Sequence, residues 1–365
     1  MANSTLNAAK AAKNDEFYTQ LSDIENELRH YKEHFRGKTV LCNCDDPRIS
    51  NFFKYFALNF EHLGLKRLIT TCYKNQNVDL FSKHDSEQAV YLIYDGDKNG
   101  NNNPDPEEIG IHPLKGDGDF RSKECIELLK QADIVVTNPP FSLFREYVAQ
   151  LMEYEKKFLI IGNQNAITTK EIFPLIKDNK MWMGYKCGDM AFRVPADSEP
   201  RKTRYWQDEK GQKWRSMGNA CWYTNLDHNK RHEPLILYKR FKAEEYLKYD
   251  NYNAIEVSKV TDIPEGYYEP MGVPVTFLDK YCPEQFKILG LTQFGCHDDL
   301  PDTRKYNNYM EYLTKTNLET GSSGAKTNEN AVLLGKGSKK TYYKNSEGRI
   351  VHSEYKRILI QHNKE

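Results

Sequence analysis

The residues whose types and order most clearly suggest chemistry are Asn138, Pro139, Pro140 and Phe141. Two consecutive prolines fix the backbone and supply no N–H donors, so the nearby carbonyl oxygens remain free to accept hydrogen bonds. The amide oxygen of Asn138 and the carbonyl oxygen of Pro139 can therefore accept both hydrogens of one amino group. Phe141 adds a flat apolar face on which a heteroaromatic ring can stack. Together the four residues predict a site that holds an aromatic amine by its nitrogen.

The segments around this motif predict where it lies in the fold. Residues 132–137 are short, apolar and β-branched, which predicts a buried parallel strand that the prolines end. A helix over 143–154 and an apolar strand over 157–163 follow. This order places the motif at the carboxyl edge of a parallel sheet, where open α/β folds bind ligands. The alternative is an ordinary turn at a strand end, with Phe141 as a core residue.

The rest of the amino-terminal half continues the same alternation. Periodicity predicts helices over 23–35, 50–63 and 170–176, and strands over 38–42, 65–72, 89–94, 180–185 and 220–225. Such alternation up to about residue 225 predicts an α/β fold with a doubly wound sheet. The polar segment 95–101 resembles a calcium loop, but no glutamate stands twelfth from Asp95, so a hairpin or surface loop is favoured and no metal site is predicted.

Bulk composition limits the classes of protein. The 365 residues are 39% hydrophobic and 28% charged, which indicates a globular chain with one large domain or two smaller ones. No apolar run reaches the length of a membrane span and the first residues lack a signal peptide's apolar core, so we expect a cytoplasmic protein without a membrane partner. The eight cysteines are scattered, and we expect them to be reduced.

Charge is distributed unevenly along a chain whose net charge is zero. Residues 76–120 are acidic, whereas 201–248 and 336–364 are basic. Zero net charge argues against a general nucleic-acid binder, but this asymmetry is compatible with a protein that binds an anionic polymer on one side. The alternative is a solvated charged surface.

Several strings together resemble the EcoRI-type adenine-specific DNA methyltransferase family, which consists of class I amino methyltransferases. The resemblance spans nearly the whole chain and is carried by residues 14–20, 23–25, 42–47, 116–120, 138–141, 272–280 and 355–360. It implies a mostly parallel, seven-stranded, doubly wound methyltransferase sheet with a smaller, irregular carboxyl-terminal target recognition region. We therefore expect a catalytic domain over 1–230, with a basic insertion near 193–217, and a recognition region over 231–365.

The resemblance also implies a cofactor, S-adenosylmethionine, and residues that bind it. One group lies against the methionine end of the cofactor, and a second replaces the glycine-rich loop after the first strand. A third recognises the adenine of the cofactor. These cofactor residues are, in that order, Phe17, Tyr18 and Thr19; Asn43, Cys44, Asp45 and Asp46; and Asp119 and Phe120. The turn lacks the glycine that usually lets backbone approach the ligand. The second strand ends without the acid that usually binds ribose, so that role is unassigned.

The implied activity is site-specific methylation of adenine N6 in double-stranded DNA. A base inside a duplex cannot reach an enclosed methyl donor, so the target adenine is expected to flip out, stack on Phe141 and be held by Asn138 and Pro139. Catalysis would be mostly positioning. A companion restriction endonuclease is a possible partner. Two alternatives stay open: methylation of an amino group in RNA or protein, and a catalytically silent DNA-binding module.

Two basic clusters are the candidate DNA contacts, because lysine and arginine bind phosphates while interleaved aromatic rings stack or wedge. A solvated surface is the alternative for each. The first cluster comprises Arg201, Lys202, Arg204, Trp206, Lys213, Trp214 and Arg215, and the second comprises Lys336, Lys339 and Lys340.

Overall fold

A computed structural model describes residues 18–44, 50–71, 89–101, 104–105, 107–194, 198–293 and 300–364. The chain forms two compact units. The first lies within residues 1–166 and 181–228, and the second within 167–180 and 229–365. None of the helices in the described ranges is long and apolar enough to span a membrane.

The first unit contains one large sheet and the helices that cover it. Its helices are α1 (Leu21–Leu28), α2 (Lys32–Phe35), α3 (Asn51–Leu58), α4 (Phe60–Leu63), α5 (Lys123–Gln131) and α6 (Phe144–Glu153). Its strands are β1 (Tyr18–Thr19), β2 (Thr39–Cys42), β3 (Arg67–Thr71), β4 (Val90–Tyr94), β5 (Ile109–Pro113), β6 (Ile134–Thr137), β7 (Lys157–Asn163), β8 (Trp182–Arg193), β9 (Tyr205–Gln207) and β10 (Lys213–Thr224).

The strand order in this sheet is β1-β8-β10-β7-β6-β2-β3-β4-β5, with β9 paired to β10. Strands β7, β6, β2 and β3 are parallel, whereas β10, β4 and β5 run antiparallel to their neighbours. The predicted α/β class with a large central sheet is confirmed. The expected mostly parallel, seven-stranded sheet is corrected: the described residues form ten strands in a mixed sheet, because hairpins and edge strands extend the parallel centre.

Burial explains why the centre of the sheet forms where it does. Strands β2 and β6 are buried at every residue, as expected for parallel strands covered on both faces. Helix α6 buries Phe144, Tyr147, Val148 and Leu151, which share one face at helical spacing. Burial of each large apolar side chain contributes about 1.5–3 kcal/mol. This packing fixes the β6-α6-β7 unit that carries the Asn138 motif.

Two local expectations can be compared with the structure. Segment 95–101 lies between antiparallel strands β4 and β5, as the hairpin interpretation predicts. The expectation that all cysteines are reduced is wrong for one pair, since Cys187 of β8 and Cys221 of β10 are cross-strand partners joined by a disulfide.

The described residues of the second unit form short strands, several 3-10 turns and one short α-helix, α7 (Phe173–Lys177). Its strands are β11 (Lys239–Arg240), β12 (Ile255–Glu256), β13 (Pro264–Glu265), β14 (Met271–Pro274), β15 (Phe286–Leu291), β16 (Met310–Leu313), β17 (Glu319–Ser323), β18 (Val332–Leu334), β19 (Thr341–Lys344), β20 (Ile350–Ser353) and β21 (Arg357–His362). They form a β11-β13 pair, a four-stranded sheet β12-β14-β21-β15 and a five-stranded sheet β17-β16-β19-β20-β18.

A buried ion pair holds the four-stranded sheet together. The guanidinium of Arg357 donates from Nη2 to Oε1 of Glu256 at 2.6 Å, and its Nε contacts Oε2 at 3.1 Å. The Tyr249 hydroxyl donates to the same carboxylate. Because each charge is bonded, the pair avoids the large cost of an unpaired buried ion. The string 355–360 thus contains a structural residue, Arg357.

Candidate active site

The Asn138 motif lies at the carboxyl end of the central parallel strand β6. Asn138 and Pro139 are buried, while Pro140 and Phe141 are partly exposed. Pro140 is extended, with φ −53° and ψ 126°, and a 3-10 turn over Phe141–Leu143 leads into α6. The backbone N–H of Leu143 donates to the Pro140 carbonyl at 2.9 Å. The motif is therefore a rigid strand-to-helix connection at the edge where the sequence placed it.

The end of strand β2 is fixed against this motif through Asn43. The Thr137 hydroxyl, one residue before Asn138, donates to the Asn43 backbone carbonyl. The Tyr147 hydroxyl of α6 donates to the Asn43 side-chain oxygen. Burial raises the pKa of Tyr147 well above its usual value, so the hydroxyl stays protonated and donates. Asn43, predicted to bind the cofactor, thus has a side-chain oxygen that holds the site together.

The turn after β2 has a left-handed residue where the sequence offers no glycine. Cys44 has a φ of 76°, a conformation that glycine adopts readily and that costs other residues roughly 1–2 kcal/mol. The Cys44 thiol lies 3.6 Å from the Asn43 side-chain oxygen. Cys44 therefore has the left-handed backbone conformation that a glycine would adopt at this turn. Asp45 and Asp46 lie outside the described residues.

The predicted adenine-recognition residues lie next to the same tyrosine. Phe120 is buried, and its ring meets the Tyr147 ring edge-on, with centroids 5.0 Å apart. The Asp119 carboxylate is held by Arg121, with Nε 2.8 Å from Oδ1 and Nη2 2.6 Å from Oδ2. This pairing raises the pKa of Arg121. The backbone N–H of Asp119 donates to Oδ1 of Asp117, so Asp117 acts as a turn residue.

The amino-terminal segment lies at the carboxyl end of β8. Thr19 of β1 pairs with Phe192, and the Phe192 ring meets the Phe141 ring edge-on at 6.5 Å. The Asn51 amide at the start of α3 donates to the Thr19 carbonyl at 2.8 Å. Tyr18 pairs with Arg193, whose guanidinium lies over the Tyr18 ring at 5.1 Å. Tyr18 and Thr19 are thus linked to the motif ring, while Phe17 lies outside the described residues.

Sequence reasoning did not identify three residues that organise this site. Tyr147 falls on the apolar stripe of α6 and resembles a core residue there, and Phe192 lies in a region with no clear motif. Arg121 directly follows Phe120 in the Gly116–Phe120 string, and a cation next to a predicted acceptor was a usable signal. Each acts through a neighbour predicted from the sequence.

The first basic cluster lies on and before the β9–β10 hairpin of the first unit. Arg201 and Lys202 are exposed, as is Arg204, whose Nη1 lies 3.3 Å from Oδ1 of Asp189. The rings of Trp206 and Trp214 stack across the hairpin, with centroids 6.4 Å apart and an interplanar angle of 12°.

Lys213 and Arg215, on strand β10 of the hairpin, are less exposed. The Lys213 ammonium donates to the Ser198 carbonyl at 3.0 Å. Arg215 is half-buried, and burial lowers its pKa. Arg201, Lys202, Arg204 and Trp206 are therefore the cluster members most available to a polymer.

The second basic cluster belongs to the second unit. The Lys336 ammonium bonds the Asn317 side-chain oxygen at 2.8 Å and lies over the Tyr342 ring. The Lys339 ammonium bonds the Ser353 carbonyl at 2.6 Å and lies 3.3 Å from the Glu354 carboxylate. Lys340 is exposed and has no side-chain bond to another described residue. The three lysines thus differ in whether their ammonium groups already bond to other described residues of the protein.

A mixed α/β sheet with a rigid Asn-Pro-Pro-Phe connection at the carboxyl edge defines a methyltransferase of amino groups. The comparison with protein families narrows this class, because the model of the family described as "Adenine-specific methyltransferase EcoRI" matches residues 5–363. The chain belongs to this family and is an adenine-specific DNA methyltransferase, as the sequence predicted.

Similar proteins carry related names. The chain is 51% identical over 291 residues to Type II methyltransferase M.EcoRI of Escherichia coli, covering 79% of this chain and 89% of that protein. It is 39% identical over 290 residues to Type II methyltransferase M.MgeORF184P of Mycoplasma genitalium, covering 78% and 84%. It is also 39% identical over 289 residues to Type II methyltransferase M.MpnI of Mycoplasma pneumoniae, again covering 78% and 84%. No solved structure is significantly similar.

Proposed function

We propose that this enzyme methylates N6 of one flipped-out adenine in a defined site of double-stranded DNA, as the modification half of a restriction–modification pair. The single observation that carries the chemistry is the buried, proline-fixed Asn138 at the end of β6 with Phe141 beside it. The Type II names of the relatives support the restriction–modification setting and a companion endonuclease.

In this proposal Asn138 and Pro139 act as two hydrogen-bond acceptors for the adenine amino group. Accepting both hydrogens fixes the nitrogen and withdraws its lone pair from the ring, which makes it nucleophilic. Phe141 stacks on the extruded base and offsets part of the cost of unstacking it. The prolines keep these groups in place before the base arrives, so the acceleration comes mainly from orientation.

S-adenosylmethionine, the cofactor implied by the family, supplies an activated methyl group on a sulfonium. The chemistry of the neighbouring residues fits it. The Thr19 hydroxyl is buried and has no hydrogen-bond partner among the described residues, so it is a candidate donor to a ligand. Phe120 offers an apolar face and Asp119 a carboxylate. We assign Tyr18, Thr19, Asp119, Phe120 and the turn after β2 to cofactor binding, with Phe17, Asp45 and Asp46 from the sequence.

We assign DNA binding to both basic clusters and target recognition to the carboxyl-terminal region, 231–365. The exposed cations Arg201, Lys202 and Lys340 suit phosphate contacts, which position a protein on DNA without reading its sequence. Trp206 is 42% exposed and suits stacking or wedging beside an extruded base.

The test is transfer of labelled methyl groups to unmethylated DNA, with modified adenines mapped by sequencing. Wild type should label N6 of adenine at one short motif. Asn138→Ala should lose roughly a hundredfold or more in turnover, because it removes a contact that positions the adenine amino group. It should bind the cofactor normally, because that contact is made to the target base. Asn138→Asp keeps an acceptor and should retain more activity than alanine. Label in RNA or protein, and none in DNA, would contradict the proposal.

A further inference from the structure

The first unit contains a cavity of about 510 Å³ whose lining joins Tyr18, Thr19 and Trp214, which have roles assigned above, to residues that have none. It is lined by the start of α3, the ends of β1 and β8, and the β9–β10 hairpin. Its volume is in the range of small-ligand sites, roughly 300–1,000 Å³. The lining residues that bear on its chemistry are Tyr18, Asn51, Lys54, Arg193, Lys210 and Trp214.

Three lining residues form a continuous row across neighbouring strands, and Trp206 extends this row beyond the lining. Trp206 pairs with Trp214, Trp214 with Arg193, and Arg193 with Tyr18. Directly paired residues of a sheet lie on the same face. Two stacked indoles are thus followed by a guanidinium that itself covers a phenol ring. Aromatic rings interleaved with cations are the usual platform for an unstacked nucleotide.

The cavity is also lined by three cations. These are Lys54, Arg193 and Lys210, and among the described residues none of them forms an ion pair with a carboxylate. One carboxylate, Asp208, lines the cavity, but its Oδ2 accepts from the Trp214 indole at 2.9 Å and its Oδ1 accepts from backbone N–H groups of the turn. The Trp214 bond holds the pKa of Asp208 below its usual range. Asp208 therefore orients the indole, and the three cations are left to attract an anion.

The position of the row relates it to the methylation site. Phe192 and Arg193 are consecutive in β8 and so point to opposite faces, with Phe192 in contact with Phe141. Arg193, which lines the cavity, therefore points away from the face on which Phe192 contacts Phe141, and the two faces meet where β8 ends at Arg193.

We infer that this cavity holds the nucleotide next to the flipped adenine on the same DNA strand. Its phosphate lies on Arg193, Lys54 and Lys210, and its base stacks on Trp214. This inference rests on the proposed function, since it requires an extruded adenine at Phe141. It adds a contact that stabilises the opened DNA, which the Asn138 motif alone does not supply.

The experiment removes one positive charge of the protein and one phosphate charge of the DNA, separately and together, and compares the losses of affinity. A cognate duplex is prepared with a neutral methylphosphonate at each phosphate around the target adenine in turn, and affinity is measured for wild type and Arg193→Gln. At one flanking phosphate, neutralisation should weaken wild type roughly tenfold. Arg193→Gln should weaken binding of normal DNA by a similar factor and lose nothing further at that phosphate. Lys210→Gln, a change on an exposed turn, should show the same lack of additivity.

Controls separate this inference from other outcomes. Lys66→Gln, an exposed change at the opposite edge of the sheet, should leave the methylphosphonate pattern unchanged. Additive losses at every phosphate for both variants would overturn the inference. So would an Arg193→Gln variant that binds S-adenosylmethionine weakly and DNA normally, because the cavity would then serve the cofactor. Failure of the proposed function is seen separately, as absence of methyl transfer by wild type.

Discussion

The Tyr147 hydroxyl donates a hydrogen bond to the Asn43 side-chain oxygen, which joins helix α6 to the end of strand β2. Tyr147 also packs against Phe120, and Thr137 bonds the Asn43 carbonyl. One buried phenol therefore connects three parts of the site. They are the helix after the Asn138 motif, the turn after β2, and Phe120, the residue predicted to face the adenine of the cofactor. We expect the geometry of the cofactor region to depend on it.

Replacement of Tyr147 by phenylalanine should remove the hydroxyl donor of the Asn43 side-chain oxygen and leave it only the weak Cys44 thiol donor at 3.6 Å. A buried acceptor that loses its partner costs about 1–3 kcal/mol in the free energy of unfolding. Cofactor affinity should fall as well, because Asn43 is no longer fixed. Chemical denaturation and titration with S-adenosylmethionine measure the two effects. Tyr154→Phe, at the end of the same helix, is the matched control and should change neither. Unchanged stability in Tyr147→Phe would contradict the assigned role.

Ionisation of the same tyrosine should make the free energy of unfolding depend on pH. Its pKa is raised in the folded state, so the unfolded chain releases the proton first above pH 10. The stabilisation is complete below pH 10 and is lost as the pH rises further, by about 1.4 kcal/mol per pH unit for one group. Wild type should therefore lose stability above pH 10 more steeply than Tyr147→Phe. Denaturation midpoints between pH 8 and 11 measure this, and parallel curves would refute it.

Replacement of Phe141 by alanine should weaken productive binding of DNA. Stacking of a base on an aromatic ring contributes about 1–3 kcal/mol, so we expect the KM for DNA to rise roughly 5- to 150-fold. Phe141→Tyr keeps the flat face and should stay close to wild type. Because Phe141 also contacts Phe192, thermal unfolding of both variants must be compared. An alanine variant with normal steady-state kinetics would show that the ring is only a core residue.

Replacement of Cys44 by glycine should stabilise the protein. Relief of a left-handed cysteine gains roughly 1–2 kcal/mol, and the added flexibility of glycine offsets about 0.5–1 kcal/mol of it. Cys42→Gly is the matched control: it lies in the buried strand β2, without a positive φ, and should destabilise. Urea denaturation compares the two. Equal destabilisation by both changes would contradict a strained turn.

The lysines of the second unit should differ in the salt dependence of DNA binding. Lys340 is exposed without a side-chain bond to described residues, whereas Lys339 is already bonded to Ser353 and Glu354. Lys340→Gln should lower the slope of log affinity against log salt by about one, and Lys339→Gln should lower it less. Binding measured by fluorescence anisotropy over a range of salt concentrations decides this. Equal slopes for the two variants would remove the distinction.

Much of the central architecture was readable from the sequence because its signals are local. The strand before Asn138, the helix after it and strand β7 follow from apolar runs, helical spacing and two prolines. The carboxyl-edge position of the motif then follows from β-α-β order alone. The same local reading missed the register of the antiparallel strands, since pairing depends on surfaces that are distant in sequence.

By itself, the sequence determined the reactive motif, the parallel centre of the sheet and the family, because each is encoded in neighbouring residues. Only the tertiary structure decided the rest. Asn43 meets Tyr147 across 104 residues, β10 enters between β7 and β8, and segment 167–180 joins the second unit rather than the first. The physical reason is that long-range contacts form wherever buried surface and hydrogen-bond partners are satisfied together, and no short stretch of sequence specifies that choice.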